Sequence, residues 1–128
     1  MRLLLDTVAF LDAVLDPESL SSRVKELLLD PENERYLSIA SSWEIAIKYS
    51  LGKLALPESP DHFIPEHRTK LAADVLALDE ESVLHLLRLP HLHRDPFDRV
   101  LISQAIVHGM LFLTPDPRIA KYPVRTAW

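Results

Sequence analysis

Short apolar runs alternate along the chain with longer stretches in which apolar residues recur every three or four positions. The apolar runs predict buried strands, and they occupy residues 2–5, 36–40, 75–78, 110–114 and 124–127. The stretches with helical spacing predict amphipathic helices, and they occupy residues 7–15, 18–29, 41–50, 65–73, 79–89 and 96–108. This alternation indicates a parallel sheet that is covered by helices on both faces.

The predicted fold is therefore α/β, with three layers in the order α/β/α and a central, mostly parallel sheet of about five strands. At 128 residues, the chain is predicted to form one domain spanning residues 1–128, with a sizeable core. In such sheets a ligand site lies beyond the carboxyl ends of the strands, near the point where the strand order reverses.

The last long helix has the clearest boundaries. Asp95 fits the N-cap, Pro96 fits the first helical position, and Gly109 fits the residue that ends the helix. Asp98 then falls in the first turn, on the same stripe as three apolar residues that we expect to face the core: Leu101, Ile102 and Ala105. A carboxylate at the end of a buried stripe needs a partner, because burying an unpaired charge is costly.

Two other helix starts carry recognisable signals. The sequence Ser41-Ser-Trp-Glu44 matches a capping box, which predicts a helix that begins there and stops before Gly52. Asp79 is predicted to be an N-cap only. Trp43 is interpreted as a core aromatic, with stacking on a nucleic-acid base as the alternative.

Composition limits the function classes. There is no cysteine, which fits an intracellular, cytoplasmic protein, and no run of roughly 18 apolar residues, so we expect no membrane-spanning helix and no membrane partner. The apolar N-terminus is interrupted by Asp6 and Asp12, which argues against a signal peptide. A net charge of −5 disfavours a simple electrostatic nucleic-acid binder, but it is compatible with an enzyme that holds divalent cations.

Four carboxylates are expected at one edge of the sheet. Asp6, Glu44 and Asp116 follow the first, second and fourth predicted strands, and Asp98 opens a helix at that same edge. Each of them alone could be no more than a helix cap or first-turn acid. If the first strand is central, however, the four approach one another and repel unless a cation lies among them. Ligands that are all oxygen suit Mg²⁺ or Mn²⁺.

Five short motifs occur in a set order along the chain, and together they indicate one protein family. They are Leu-Leu-Leu-Asp6-Thr7, Ser42-Trp-Glu-Ile-Ala-Ile-Lys48, Leu51-Gly-Lys-Leu54, His93-Arg-Asp-Pro-Phe-Asp-Arg99 and Thr114-x-Asp116. This set, which covers essentially the whole chain, resembles the PIN-domain family, in particular the VapC-type toxins of bacterial and archaeal toxin–antitoxin pairs.

The resemblance implies a Mg²⁺-dependent endoribonuclease that hydrolyses RNA phosphodiester bonds, with Mn²⁺ as a possible substitute. The family's four acidic positions fall on Asp6, Glu44, Asp98 and Asp116, with Asp6 and Asp98 as the best direct ligands. Glu44 and Asp116 would then bind a second ion or hold water molecules on the metal.

Three neighbouring residues are candidates for accessory roles. Thr7 and Thr114 could position those water molecules, although for Thr7 a local backbone bond is an equal alternative. Asp95 is an additional acid that could exchange roles with Asp98. We assign the ligand role to Asp98, because Asp95 already serves as the N-cap.

Several basic residues and histidines lie close in sequence to these acids. His91 and His93 are interpreted as residues of a solvated loop, or as contacts to RNA phosphate, rather than as ligands of a transition metal. Four residues are candidates for contacts with RNA, with a solvated surface charge as the alternative for each: Lys48, Arg94, Arg99 and Arg118.

The resemblance also implies partners, namely a cognate antitoxin and usually a second copy of the chain in a homodimer. The first two predicted helices carry a surplus of apolar residues that could form a groove for either partner: Val8, Phe10, Leu11, Val14, Leu20, Val24, Leu27, Leu28 and Leu29. The alternative is that all of them lie in the core. For the function as a whole, the alternative is a non-catalytic PIN-like module that binds RNA or protein.

Overall fold

Five strands and six α-helices make up the computed structural model, which describes residues 1–128. The strands are β1 (Arg2–Leu5), β2 (Glu34–Ser38), β3 (Ala73–Leu76), β4 (Leu111–Leu113) and β5 (Thr126–Ala127). The helices are α1 (Thr7–Leu15), α2 (Ser22–Leu29), α3 (Ile39–Ser50), α4 (Pro60–Lys70), α5 (Glu80–His85) and α6 (Pro96–His108). Three short 3₁₀ turns lie at Pro17–Ser19, Leu86–Arg88 and Ile119–Lys121.

The sheet is parallel throughout, in the order β3-β2-β1-β4-β5. Strand β1 is central, and Leu4 pairs with Tyr36 on one side and Phe112 on the other. The condition under which the four carboxylates were expected to approach one another is therefore met. Because side chains alternate along a strand, Leu3 and Leu5 enter one core cluster while Leu4 enters a second one. Helix α1 contributes Phe10 to the first cluster and α6 contributes Leu101 to the second, which confirms the three-layer α/β/α fold.

Helices α1 and α6 have the predicted bounds, and Gly109 ends α6 in the left-handed conformation with φ of 64°. The capping box predicted at Ser41 is wrong. Helix α3 begins two residues earlier, at Ile39, because the Ser38 hydroxyl accepts a hydrogen bond from the Ala40 N–H. Strand β2 accordingly ends at Ser38 rather than at Ala40, and Glu44 lies inside the helix instead of in its first turn.

Helix α4 differs most from its prediction. It was expected at residues 65–73, but it begins at Pro60, which occupies the first turn, and contains Pro65 in its interior. Pro65 lacks the N–H for one helical hydrogen bond, yet the adjacent Phe63 and Ile64 are buried and hold the helix against the core. Strand β3 consequently starts two residues before the predicted position.

The remaining elements are shorter than predicted. The segment from Pro17 first forms a 3₁₀ turn, and α2 begins only after Ser21, whose hydroxyl accepts from the Val24 N–H. Helix α5 is followed by a 3₁₀ turn instead of continuing to Leu89. Strands β4 and β5 also have fewer residues than predicted. No helix has the length and apolar character needed to cross a lipid bilayer.

Candidate functional site

Asp6 lies at the centre of the carboxyl edge of the sheet, directly after β1. Its backbone N–H donates to the carbonyl of Leu113, at the end of β4, over 3.0 Å. Its carboxylate is buried, and Oδ2 accepts a hydrogen bond of 2.7 Å from the hydroxyl of Thr114. The two adjacent parallel strands therefore fix the position of this carboxylate between them.

Glu44 reaches the same edge from α3. Its side chain is buried, and Oε1 accepts a 2.7 Å hydrogen bond from the hydroxyl of Thr7, the residue after Asp6. Ser41 Oγ lies 2.9 Å from the same Thr7 hydroxyl. On the other side, Glu44 Oε2 forms an ion pair with Lys48, one turn further along the helix, and this bond raises the pKa of the lysine.

Asp98 enters from the first turn of α6. Its Oδ2 lies 3.2 Å from Nε2 of His93, a residue whose side chain is almost completely buried. Asp95 serves as the N-cap, because its Oδ1 accepts from the backbone N–H groups of Phe97 and Asp98. The prediction of Asp95 as N-cap is thus confirmed.

The electrostatics show that Asp6, Glu44 and Asp98 form one group. Burial, together with the negative charges of Asp98 and Glu44, raises the pKa of Asp6 to about 7 against the opposing hydrogen bond from Thr114. Burial also raises the pKa of Asp98, with the charge of Asp95 adding to the effect and the bond to His93 opposing it. Asp6 has no cationic side chain as a hydrogen-bonding partner, so a bound cation would relieve this repulsion.

Asp116 lies at the same edge, but its carboxylate is directed to a different partner. Both oxygens contact the guanidinium of Arg118, with Oδ2 at 2.8 Å from Nη2, and this bond lowers the pKa of Asp116. Its backbone N–H donates to the hydroxyl of Thr114, which in turn donates to Asp6. Asp116 is therefore connected to the group through one threonine, while its own charge is compensated by Arg118.

The donor chemistry of the site fits a hard divalent cation, because every candidate ligand atom is an oxygen. No three of these carboxylates bring oxygen atoms within 4.8 Å of one another, so the arrangement favours a cation held by one or two carboxylates and by water, as Mg²⁺ usually is. The chain has one group at that closer spacing, formed by Glu66 and His67 of α4 and by Glu58, which precedes this helix. This group was not predicted from the sequence.

The basic residues proposed to contact RNA occupy different settings. Lys48 pairs with Glu44, and Arg118 pairs with Asp116. Arg99 donates to the carbonyl of Pro90 over 2.8 Å and to the hydroxyl of Tyr122 over 3.1 Å, whereas Arg94 is exposed.

Two aromatic or heteroaromatic side chains differ from the sequence interpretation. Trp43 is 56% exposed, so its assignment to the core is wrong; it packs edge to face against Phe97 with the ring centroids 5.2 Å apart. His93 is buried rather than solvated, and it contacts both Asp98 and Tyr122, while His91 is exposed as expected. The acidic motif around His93 indicated that this histidine lies near the site. Nothing in the sequence indicated that Tyr122, 29 residues away, contacts it.

Replacing Asp95 by alanine should separate its structural role from the role of Asp98. The loss of two hydrogen bonds at the start of α6 should cost about 1 kcal/mol of unfolding free energy, measured by urea denaturation. RNA cleavage by the folded variant should fall much less than cleavage by Asp98→Ala. Loss of cleavage in Asp95→Ala, with cleavage retained in Asp98→Ala, would reverse the assignment of the ligand.

Comparison with known proteins places these observations in context. A family model described as the PIN domain matches residues 3–124. A curated relative, Ribonuclease VapC16 of Mycobacterium tuberculosis, is 34% identical over 64 residues, and this match spans 50% of the chain and 45% of the relative. The chain thus matches less than half the length of that relative.

Solved structures match over nearly the whole chain, and at identities of 16–18% they bear on the fold alone. VapBC2 from Rickettsia felis, bound to a DNA fragment from the promoter, has a TM-score of 0.76 at 16% identity, covering 99% of this chain and 98% of that one. VapBC-1 from nontypeable Haemophilus influenzae has a TM-score of 0.65 at 18% identity, covering 99% and 97%. A toxin–antitoxin complex from Klebsiella pneumoniae has a TM-score of 0.61 at 16% identity, covering 98% and 95%.

Proposed function

The chain belongs to the PIN domain family, and we propose that it is a metal-dependent endoribonuclease that acts as the toxin of a toxin–antitoxin pair. The observation that carries this proposal is the burial of Asp6 beside Asp98 and Glu44 with no cationic side chain bound to it. A fold maintains such repulsion at a stability cost, which a bound cation would offset. The similarity to a ribonuclease of the VapC group supports RNA as the substrate.

The residues present would hold Mg²⁺, or Mn²⁺ in its place, with Asp6 and Asp98 as direct ligands. Glu44 and Asp116 would act through water or at a second ion. When bound, the cation supplies Lewis acidity, which lowers the pKa of water and offsets negative charge on the phosphate.

The chain's own side chains restrict how these carboxylates can turn. The hydroxyl of Thr114 donates to Oδ2 of Asp6, which restricts the rotation of this carboxylate. The hydroxyl of Thr7 holds Oε1 of Glu44, and Lys48 holds Oε2. These hydrogen bonds suggest that the two threonines orient carboxylates rather than contact water directly.

Two of the basic residues already pair with acids of the site. Lys48 and Arg118 compensate Glu44 and Asp116 in this structure. If a cation takes over that compensation, the ammonium and guanidinium groups become free to contact phosphate oxygens. Lys48 and Arg118 are therefore the first candidates for RNA contacts, ahead of Arg99, whose Nη1 is engaged within the chain.

The proposed antitoxin would dock on α1, α2 and the end of α4. Of the nine apolar residues on the first two helices, Val8 and Leu29 are 47% and 81% exposed, so the alternative that the core contains all nine is wrong. A groove of about 400 Å³ lies beside Leu29, and its apolar lining is Ala13, Pro17, Leu20, Leu28, Leu29 and Leu71. Such a groove suits an amphipathic segment. A homodimer and a cytoplasmic site of action are part of the same proposal.

Cleavage of a 5′-labelled RNA with single-stranded loops tests the proposal. We expect internal cuts in Mg²⁺ or Mn²⁺, none in EDTA, and recovery when the cation is restored. Asp98→Asn serves as the matched control for a contaminating nuclease, because it alters one atom of the site. RNA binding without cleavage in any divalent cation would support the alternative, a non-catalytic binding module.

The toxin assignment has its own test. The protein should co-purify with the product of a neighbouring small gene, and light scattering on the isolated chain should give the mass of a dimer. A strict monomer that retains no such protein, yet cuts RNA, would remove the toxin assignment and leave the nuclease.

A further inference from the structure

We propose that His93 is a positioning residue, held in a single tautomer by Tyr122, which orients Asp98 for the cation. The inference rests on the cation site of the proposed function, and it concerns the chain's own hydrogen bonds. Four side chains form a continuous series in which Arg99 contacts Tyr122, Tyr122 contacts His93, and His93 contacts Asp98. Nothing in the sequence places Tyr122 near this motif.

The direction of each hydrogen bond follows from the number of hydrogen bonds that the Tyr122 hydroxyl can accept and donate. A phenolic oxygen has two lone pairs and one hydrogen. Nη1 of Arg99 donates to it over 3.1 Å and the backbone N–H of His93 donates over 3.2 Å, so both lone pairs are in use. The hydroxyl hydrogen must therefore point to its remaining partner, Nδ1 of His93, at 2.7 Å.

This assignment determines the state of the imidazole. Because Nδ1 accepts a hydrogen, the ring hydrogen resides on Nε2, and Nε2 donates to Oδ2 of Asp98 over 3.2 Å. A ring with hydrogens on both nitrogens would direct three donors at the Tyr122 oxygen, which has room for two. Both nitrogens of His93 are thus occupied, which leaves neither for direct ligation of a metal.

Packing keeps the series in place. The Tyr122 side chain is buried, its ring lies edge to face against His93 at 5.4 Å between centroids, and the guanidinium of Arg99 stands 5.9 Å above it. The imidazole therefore has little freedom to rotate. The hydrogen bond from His93 to Oδ2 then restricts the rotation of the Asp98 carboxylate, in the way that hydrogen bonds behind a metal site orient its ligands.

Nuclear magnetic resonance on the metal-free protein tests the tautomer without any cleavage reaction. Long-range ¹H–¹⁵N correlations at about pH 8 should show the His93 ring protonated at Nε2 and unprotonated at Nδ1. The His93→Gln variant identifies the signals by their loss. A ring protonated at Nδ1 in the wild-type protein would overturn the proposal.

Mn²⁺ affinity, measured by calorimetry, tests the positioning role. Tyr122→Phe, which removes only the hydroxyl, and His93→Asn, whose amide is too short to reach Asp98, should each weaken Mn²⁺ binding by about tenfold or more. His93→Gln places an N–H donor where Nε2 lies, so it should bind Mn²⁺ within about threefold of the wild-type protein. Tyr36→Phe, a hydroxyl loss outside this series, should bind as the wild type does.

The variants also separate this role from a purely structural one. A structural defect would lower the melting temperature and affect glutamine and asparagine alike, whereas a positioning role predicts rescue by glutamine alone. Equal Mn²⁺ affinity in all variants, or equal loss in both His93 variants, would overturn the proposal. If Mn²⁺ binding follows the expected pattern but RNA is not cut, the proposed nuclease fails while the role of His93 stands.

Discussion

RNA cleavage should fall by about 10³-fold or more when Asp6 or Asp98 is replaced by asparagine, because the amide keeps the shape of the carboxylate and removes its charge. Each substitution removes the negative charge from one of the two side chains that we assign as direct ligands. The loss should appear in the single-turnover rate at saturating protein, because the RNA contacts proposed for Lys48 and Arg118 are untouched. Mg²⁺ at higher concentration should restore only part of the rate.

Asp79→Asn is the matched control for this result. Asp79 follows β3 as the acids follow their strands, but its carboxylate caps α5 and pairs with His108 over 2.8 Å. Its substitution should leave the rate of cleavage within about twofold of the wild type once the fold is intact. Cleavage by Asp6→Asn at more than about a tenth of the wild-type rate would contradict the assignment of Asp6 as a ligand.

The metal-free protein should become more stable when Asp6 is replaced by asparagine, by about 2–4 kcal/mol at neutral to alkaline pH. Burial raises the pKa of Asp6 to about 7, above its unfolded value of 3.8, so its ionisation disfavours the fold. Wild-type stability should therefore decline as pH rises from about 4 to about 7 and then level off, and the decline should be smaller in Asp6→Asn. Urea denaturation in EDTA across this pH range measures the decline in both proteins.

The same substitution at Asp79 should have the opposite sign. Burial alone would raise the pKa of Asp79, but hydrogen bonds from His108 and Ser82 outweigh it and lower the pKa to about 2. Its ionised form thus stabilises the fold above the unfolded pKa, a contribution that is lost as pH falls through about 2. Asp79→Asn should destabilise the protein at neutral pH. A destabilised Asp6→Asn in EDTA would show that the buried carboxylate is compensated within the chain.

The increase in melting temperature caused by Mg²⁺ should depend on the same group of carboxylates. A ligand that binds only the native state raises the melting temperature with its occupancy, so the wild-type protein and Asp79→Asn should respond to Mg²⁺ equally. Asp6→Asn and Asp98→Asn should respond less.

The positions of β1 and α6 were predictable because they depend on local signals. Apolar runs bounded by polar residues predicted β1, and Asp95-Pro96 with Gly109 predicted α6 to the residue. For α3, the sequence predicted Ser41 as the cap, and this prediction is wrong. Ser38 caps α3 because the pairing of β2 with β3 ends there, a tertiary constraint that the capping-box pattern at Ser41 does not contain.

The site was less predictable than the fold, for the same reason. Glu44 was expected at the sheet edge as a first-turn acid, yet it lies within α3, buried alongside Ala40 and Ser41. The partner of Asp98 could not be inferred, since His93 acquires its role only through contact with Tyr122. The pairing of Asp116 with Arg118 is local in sequence, but only the fold shows that both oxygens of this carboxylate contact the guanidinium.

The most direct test of the cation site is a crystal soaked in Mn²⁺ and measured at the manganese absorption edge. The anomalous signal should place an ion between the carboxylates of Asp6 and Asp98, with Glu44 or Asp116 reached through water. The chain offers one competing location, the group of Glu58, Glu66 and His67, whose ligand atoms already lie within 4.8 Å of one another. A manganese peak at that group alone, with none at the carboxyl edge of the sheet, would contradict the account.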